Sequence, residues 1–409
     1  MMSTAKITRE TRATDRPLRI AFVTETYPPE VNGVAMTIAR VVEGMRARQH
    51  QVQLIRLRQH ATDTPACAAA YEEVLMRGCP IPRYPDLKMG LPQTRALFGL
   101  WSDHLPDLVH IATEGPLGWS ALQAARRLGV PVSSDFRTNF HAYAQHYGIS
   151  LLKRPVLAYL RYFHSRTACT MVPTESLRRE LAAQGFRDLS VVARGVDTVR
   201  FSPAKRSTEL RRQWGVRDDD MVVMCVGRLA PEKNLGDLVS AYGAMCRIRP
   251  RTRLVIVGDG PERSALKVAC PEAILAGSRT GEELPVHYAS ADAFVFPSLT
   301  ETFGNVTPEA MASGLPVLAY DYAAAAQLIV SGDNGLLAPC GDAREFIRQA
   351  ERLLADPQHA RHMGAAARAS AERLAWDAVT GQVEALFRTV AAGGQLVPEP
   401  LRSPSVAKA

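Results

Sequence analysis

With 409 residues, 46% hydrophobic and 22% charged, and a formal net charge of +8, the chain has ordinary globular composition and is too long for one compact core. No apolar run approaches the roughly 18 residues that a membrane helix needs. Residues 1–17 are polar and basic without an apolar segment, so they read as a disordered basic leader rather than a secretory signal. The seven cysteines stand apart with no CxxC pair, which argues against a disulfide framework or a zinc site and for a reducing cytoplasm.

In chain order, short β-branched runs alternate with helix-like stretches. The first half offers strands at Arg19–Thr24, Gln51–Ile55, Leu108–Ile111, Pro131–Ser134, Thr170–Val172 and Ser190–Ala193. Between the first two, Val34, Ile38, Val41, Val42 and Met45 fall on one stripe of a helix over Val34–Arg48. Arg194-Gly195-Val196-Asp197 through Phe201-Ser202-Pro203 interrupts the alternation and reads as a linker. The second half offers strands at Met221–Val226, Arg253–Val257, Ala273–Leu275, Ala293–Phe296, Pro316–Ala319 and Gly335–Leu337. A last helix begins near Trp376 and runs to about Ala391, and residues 392–409, rich in Gly, Pro and Ser, read as a flexible tail. Such alternation predicts an α/β fold with parallel sheets covered by helices on both faces. Two series of strands predict two doubly wound domains, residues 18–195 and 196–375, with ligands in the cleft that the carboxyl ends of the strands face.

Two segments carry chemistry at those strand ends. Glu301-Thr302-Phe303-Gly304-Asn305-Val306-Thr307-Pro308-Glu309 follows the strand ending at Phe296. Thr307 before Pro308 predicts a helix start, with the hydroxyl as cap and the proline in the first turn. Free N–H groups there favour an anion, Gly304 allows close backbone approach, and Glu301 and Glu309 suit neutral hydroxyls better than phosphate. A capped helix with two solvated acids would read the same way. Gly227-Arg228-Leu229-Ala230-Pro231-Glu232-Lys233-Asn234 follows the strand ending at Val226, and its Arg228 and Lys233 could stabilise a departing diphosphate. A pair of surface cations is the plainer alternative. Gly33 joins the first strand to its helix, but neither it nor Gly258-Asp259-Gly260 completes a dinucleotide-binding fingerprint. Asp218-Asp219-Asp220 contains a D-x-D, read as a polar turn beside Arg217, and no metal is expected.

The Glu301-to-Glu309 segment resembles the E-x7-E motif of the large retaining glycosyltransferase family with the GT-B fold. Gly227-Arg228 with Glu232-Lys233, Val257-Gly258-Asp259-Gly260-Pro261, Ala312-Ser313-Gly314-Leu315-Pro316-Val317 and Asn32-Gly33-Val34 follow in that family's order, over roughly residues 18–390. Within it the chain is similar to bacterial GDP-mannose-dependent α-mannosyltransferases and to glucosyltransferases that build glycolipids. The resemblance implies two Rossmann-like domains facing a central cleft, with helix 376–391 returning towards the N-terminal domain. It implies Arg228 and Lys233 on the diphosphate, Glu301 on the transferred sugar and Glu309 on the ribose. Backbone groups from Phe303 through Gly304 and Asn305 to Val306 would reach sugar and phosphate, Gly33 would close from the other domain, and the turn at Arg279 would border the base. Configuration would be retained without a protein nucleophile, the nucleotide sugar being a substrate and no cofactor being needed. Many relatives carry a histidine where this chain has Arg137; Arg137 and His141 are acceptor-side candidates.

From Arg137 to Arg187 there are eight Lys and Arg (Arg137, Lys153, Arg154, Arg161, Arg166, Arg178, Arg179 and Arg187) against Glu175 and Glu180. That surplus suits an anionic partner, though a solvated helix face carries the same charge. With the glycolipid resemblance it points to an anionic membrane surface and a lipid acceptor rather than nucleic acid, and to a cytoplasmic protein lying peripherally on the membrane's inner face. GDP-mannose is the favoured donor, with UDP-glucose or another UDP-sugar, a soluble acceptor, and a non-catalytic two-domain binding protein as alternatives.

Overall fold

The computed structural model describes residues 16–393 apart from 31, 61, 82–83, 137–152, 218 and 302. Arg137 and His141, Thr302, Asp218, most of the leader and nearly all of the tail therefore lie outside the described residues.

The first half contains β1 (Arg19–Thr24), β2 (Gln51–Leu57), β3 (Cys67–Ala68), β4 (Tyr71–Met76), β5 (Gly78–Ile81), β6 (Tyr84–Gly90), β7 (Leu108–Ile111), β8 (Val132–Asp135), β9 (Cys169–Val172) and β10 (Leu189–Val191). Eight of these form one sheet, in the order β10-β9-β8-β7-β1-β2-β4-β3, antiparallel only at the β3 edge, and β5 pairs with β6 in a separate hairpin. Each expected strand is present, within two residues at either end, but β3 to β6 go beyond the expected series. Their signal is masked by polar residues: Glu72 and Glu73 sit within β4 because Gln53 Nε2 donates to Glu72 Oε2 at 2.8 Å and Arg56 Nη2 to Glu73 Oε2 at 2.9 Å.

The second half contains β11 (Val222–Val226), β12 (Arg253–Val257), β13 (Ile274–Gly277), β14 (Ala293–Phe296), β15 (Val317–Tyr320) and β16 (Gly335–Ala338). They form a wholly parallel sheet ordered β13-β12-β11-β14-β15-β16. The chain thus winds outward from β11, returns, and winds the other way from β14. Neighbouring strands whose crossovers leave in opposite directions open a crevice at their carboxyl ends. That crevice lies between β11 and β14 here and between β1 and β7 in the first half.

Side chains alternate across β1. Ile20 and Phe22 face the helix Gly33–Ala47, packing near Ile38, Val41 and Met45. Ala21 and Val23 face the opposite layer with Trp101, Leu117 and Ala121. The first face is completed from far away in sequence: the helix Trp376–Ala391 inserts Val379, Val383, Phe387 and Val390. The Phe387 ring lies 5.8 Å from Phe22 and 5.1 Å from His110, and Gly44 gives room for Thr380. The two halves are therefore joined by two chain segments. These run side by side, with Val196 N donating to Leu374 O at 2.9 Å and a Cβ on Gly195 falling 2.5 Å from Trp376. Among the described residues, no helix is long and apolar enough to cross a membrane.

Candidate active site

The β11 strand ends in a tight loop whose last turn, Pro231–Lys233, closes on Asn234 in the left-handed region at φ 51°. The neighbouring loop lies directly upon it. A Cβ on Gly258, itself at φ +141°, would fall 1.9 Å from Gly227 O, while Leu229 N donates to Asp259 O at 2.9 Å. The glycines of 258–260 thus serve loop-on-loop packing, which rigidifies the segment presenting Arg228 and Lys233. Arg228 is exposed and pairs with Glu232.

Lys233 turns inward. Its ammonium lies 5.4 Å from the Phe296 ring centroid and pairs with Glu301 Oε1, both side chains being about five-sixths covered. The same Glu301 oxygen accepts from Ser298 Oγ at 2.8 Å. The loops leaving β11 and β14 are thereby tied across the crevice, bringing together a cation and an acid that sequence reasoning had assigned to different parts of one ligand.

Beyond Glu301, Phe303 is buried and its carbonyl accepts from Ala324 N at 2.8 Å. Gly304 adopts φ +89°, which favours glycine, and turns the chain into the helix Val306–Ala312. That helix starts earlier than the Thr307-Pro308 pair predicts. Asn305 is already helical at φ −55°, ψ −27°, and Thr307 N donates to Gly304 O at 3.1 Å, so Thr307 is buried in the first turn instead of capping it. Glu309, one turn on, accepts from the buried Tyr288 hydroxyl at 3.0 Å. Burial pushes its carboxyl up to about 7, against the opposing effects of the Tyr288 hydrogen bond and the Arg200 charge.

From the first half, Gly33 begins the helix that Asn32 caps, with Asn32 Oδ1 accepting from Val34 N at 3.1 Å and Ala35 N at 2.8 Å. A Cβ on Gly33 would lie 3.8 Å from Asn305 Nδ2 and 2.9 Å from Arg194 Nη1. The two halves therefore meet at Gly33 and Asn305, and Arg194 stands between them. Arg279 is not gathered here. Its guanidinium donates to Ala276 O at 3.0 Å and pairs with Glu283 at 3.2 Å, lining a groove of about 530 Å³ with Trp214, Ile274 and His287 on the outer side of β13.

Sequence reasoning passed over several residues at these strand ends. Glu25 accepts from Leu117 N at 2.8 Å, and burial, with Glu114 adding to it, raises its carboxyl despite that bond. Glu114 Oε1 lies 3.3 Å from His164 Nε2, and His164 Nδ1 lies 2.9 Å from Ser134 Oγ. Only their positions at the ends of β1 and β7 could have flagged the two acids. Arg194 and Tyr288 become visible only once the chain is folded. Asp219 and Asp220 pair with Arg251, and Asp220 accepts from Arg217 N at 3.0 Å, so their carboxylates are occupied by arginine and backbone. Among the described residues no group of three or more His, Cys, Asp or Glu is arranged to hold a metal ion.

Two Rossmann-like halves, each with a crevice at the carboxyl ends of its parallel strands, make up the GT-B architecture. The chain belongs to the glycosyltransferase family whose two parts are described as Glycosyltransferase Family 4, matched by residues 31–200, and Glycosyl transferases group 1, matched by residues 206–370. It is 37% identical over 383 residues to the GDP-mannose-dependent alpha-mannosyltransferase of Mycobacterium tuberculosis (strain CDC 1551 / Oshkosh), an alignment covering 91% of this chain and 97% of that one. It is 26% identical over 319 residues to the alpha-monoglucosyldiacylglycerol synthase of Streptococcus pneumoniae (strain ATCC BAA-255 / R6), covering 74% and 71%. Sucrose-phosphate synthase from Thermosynechococcus elongatus shares the fold with a TM-score of 0.73 at 20% identity, covering 92% of this chain and 99% of that one.

Proposed function

We propose that this glycosyltransferase moves a mannosyl group from GDP-mannose to a lipid acceptor at the cytoplasmic face of a membrane, with retention of configuration. The observation that carries the reading is the Lys233–Glu301 pair across the β11/β14 crevice. It stores a cation and a hydroxyl acceptor at one point, where a nucleotide sugar would exchange their mutual contact for contacts with its diphosphate and its hexose. Residues 196–375 form the donor half and 18–195 the acceptor half. Arg228 and Lys233 neutralise the departing diphosphate, so its charge is met by side chains rather than by a metal ion. Glu309 accepts from the ribose hydroxyls. The acceptor hydroxyl attacks from the face that the diphosphate leaves, forming the new glycosidic bond as the old one breaks, and a phosphate oxygen takes its proton.

The relatives' names support the donor and the lipid acceptor. Membrane contact is supported by the helix Lys153–His164. Its outward side carries Arg154 and Arg161 with Tyr159 and Tyr162, the tyrosines being 40% and 48% exposed. Arg166 stacks on Tyr162 with its guanidinium 3.1 Å from the ring centroid. Amphipathic rings beside fixed cations suit an anionic headgroup layer.

Labelled GDP-mannose and UDP-glucose supplied with a lipid extract and a chelator test the chemistry. Label entering the lipid phase from GDP-mannose is expected, and transfer only to water-soluble acceptors would overturn the acceptor assignment. Sedimentation with anionic vesicles tests the surface, since no binding at moderate salt would remove the membrane from the reading.

A further inference from the structure

We propose that Arg194 is a third cation for the donor's diphosphate, mounted on the hinge between the two halves and held in the cleft by Asn305. The inference rests on the donor reading above and adds to it a residue from neither nucleotide loop.

Three observations converge on this side chain. Arg194 follows β10 and immediately precedes the crossing where Val196 N bonds to Leu374 O at 2.9 Å and Gly195 packs beneath Trp376. It thus stands at the end of the first half, beside the two chain segments that join the halves. Its side chain is nonetheless directed away from those segments into the cleft. The guanidinium donates to Asn305 Oδ1 at 3.3 Å, lies 5.9 Å from the Phe303 ring centroid, and approaches Gly33 so closely that a Cβ there would fall 2.9 Å from Nη1. It therefore touches the donor loop of one half and the closing loop of the other. Third, the residue is 93% covered, so its charge is screened far less than that of the exposed Arg228.

A guanidinium is a planar fork with several donors in fixed directions, able to keep one neutral acceptor while another donor takes a phosphate oxygen. Asn305 supplies the neutral acceptor, and the diphosphate lying against Gly304 and Gly33 supplies the second. The bonds so formed bridge the halves, so diphosphate binding also favours the closed cleft. A nucleoside monophosphate, which lacks the distal phosphate, should gain little from this residue.

The test compares Arg194→Gln and Arg194→Lys with the unaltered protein in calorimetric titrations of nucleoside diphosphate and monophosphate of the same base. Arg194→Gln should weaken the diphosphate by about 10- to 100-fold, the range of one charge-assisted hydrogen bond, and the monophosphate by less than about twofold. Arg194→Lys, which keeps the charge and the hinge packing, should fall between and carries the same comparison if the glutamine variant does not fold. Equal weakening of both nucleotides, or an unchanged diphosphate affinity, overturns the proposal and leaves the transferase reading standing. If the unaltered protein shows no preference for diphosphate and transfers no sugar, the donor reading itself fails and takes this one with it.

Discussion

Lys233 and Glu301, 68 residues apart in sequence, form an ion pair that closes the crevice between β11 and β14. On the proposed reading, a donor would offer Lys233 a stronger anion and Glu301 a neutral hydrogen-bond donor. Lys233→Ala should lower turnover by about 10²- to 10³-fold, the scale seen when one preorganised stabiliser of developing charge is removed. Its effect on folding should stay near 1–3 kcal/mol, the cost of leaving one partially covered charge without its partner. Steady-state rates beside thermal melts of the same preparation decide it; losses that track one another would assign Lys233 to the scaffold.

Glu309 carries the clearest pH signature. Its carboxyl sits at about 7 in the folded molecule, well above the roughly 4.3 of a free glutamate. The folded state thus holds this proton more tightly than the unfolded state. The stabilisation is present below the unfolded value and is lost as pH rises through about 7. If Glu309 accepts from ribose hydroxyls as proposed, the ionised carboxylate is the stronger acceptor, so nucleotide binding should release a proton and tighten as pH rises through about 7. Calorimetry in buffers of different ionisation enthalpy measures that release, and Glu309→Gln should abolish it.

Two glycines should fail in different ways. At Gly258 a methyl group meets Gly227 O at 1.9 Å in a left-handed backbone, so Gly258→Ala should lower the melting temperature sharply. At Gly33 the clash is with the Arg194 guanidinium at 2.9 Å, and Gly33→Ala should raise KM for the donor with little change in melting. Identical behaviour of the two variants would contradict the assignment of Gly33 to the cleft.

Phe387→Ala should destabilise by roughly 3–5 kcal/mol, because it opens a void between Phe22 and His110 in a region with no solvent access. Denaturant titration followed by fluorescence measures it. A loss below about 1 kcal/mol would mean that the helix Trp376–Ala391 is only loosely docked.

Strands buried on both faces were the legible part of the fold, because continuous runs such as Val-Val-Met-Cys-Val at Val222–Val226 have no polar interruption. β4 was hidden because its acids are matched by partners on β2, a pairing that composition along one strand does not reveal. In the site, the loops bearing Arg228, Lys233, Glu301 and Glu309 could be placed from strand ends alone. Their mutual pairing could not, and neither could the early start of the helix at Val306 or the turning of Arg279 towards Glu283. Arg194 carries no site signal in the sequence, since its position between Gly33 and Asn305 depends on how the two halves meet.

The docking of Trp376–Ala391 on the first sheet also sets an order of events during synthesis. Phe22 leaves the ribosome well before its cover, since the side chain that packs on it follows more than 350 residues later. The entire second half must be made while the first half still displays a bare apolar stripe. Severing the chain at the hinge would make that exposure permanent, so the halves should be recovered better by co-expression with residues 376–391 restored to the first fragment than as a simple two-piece split.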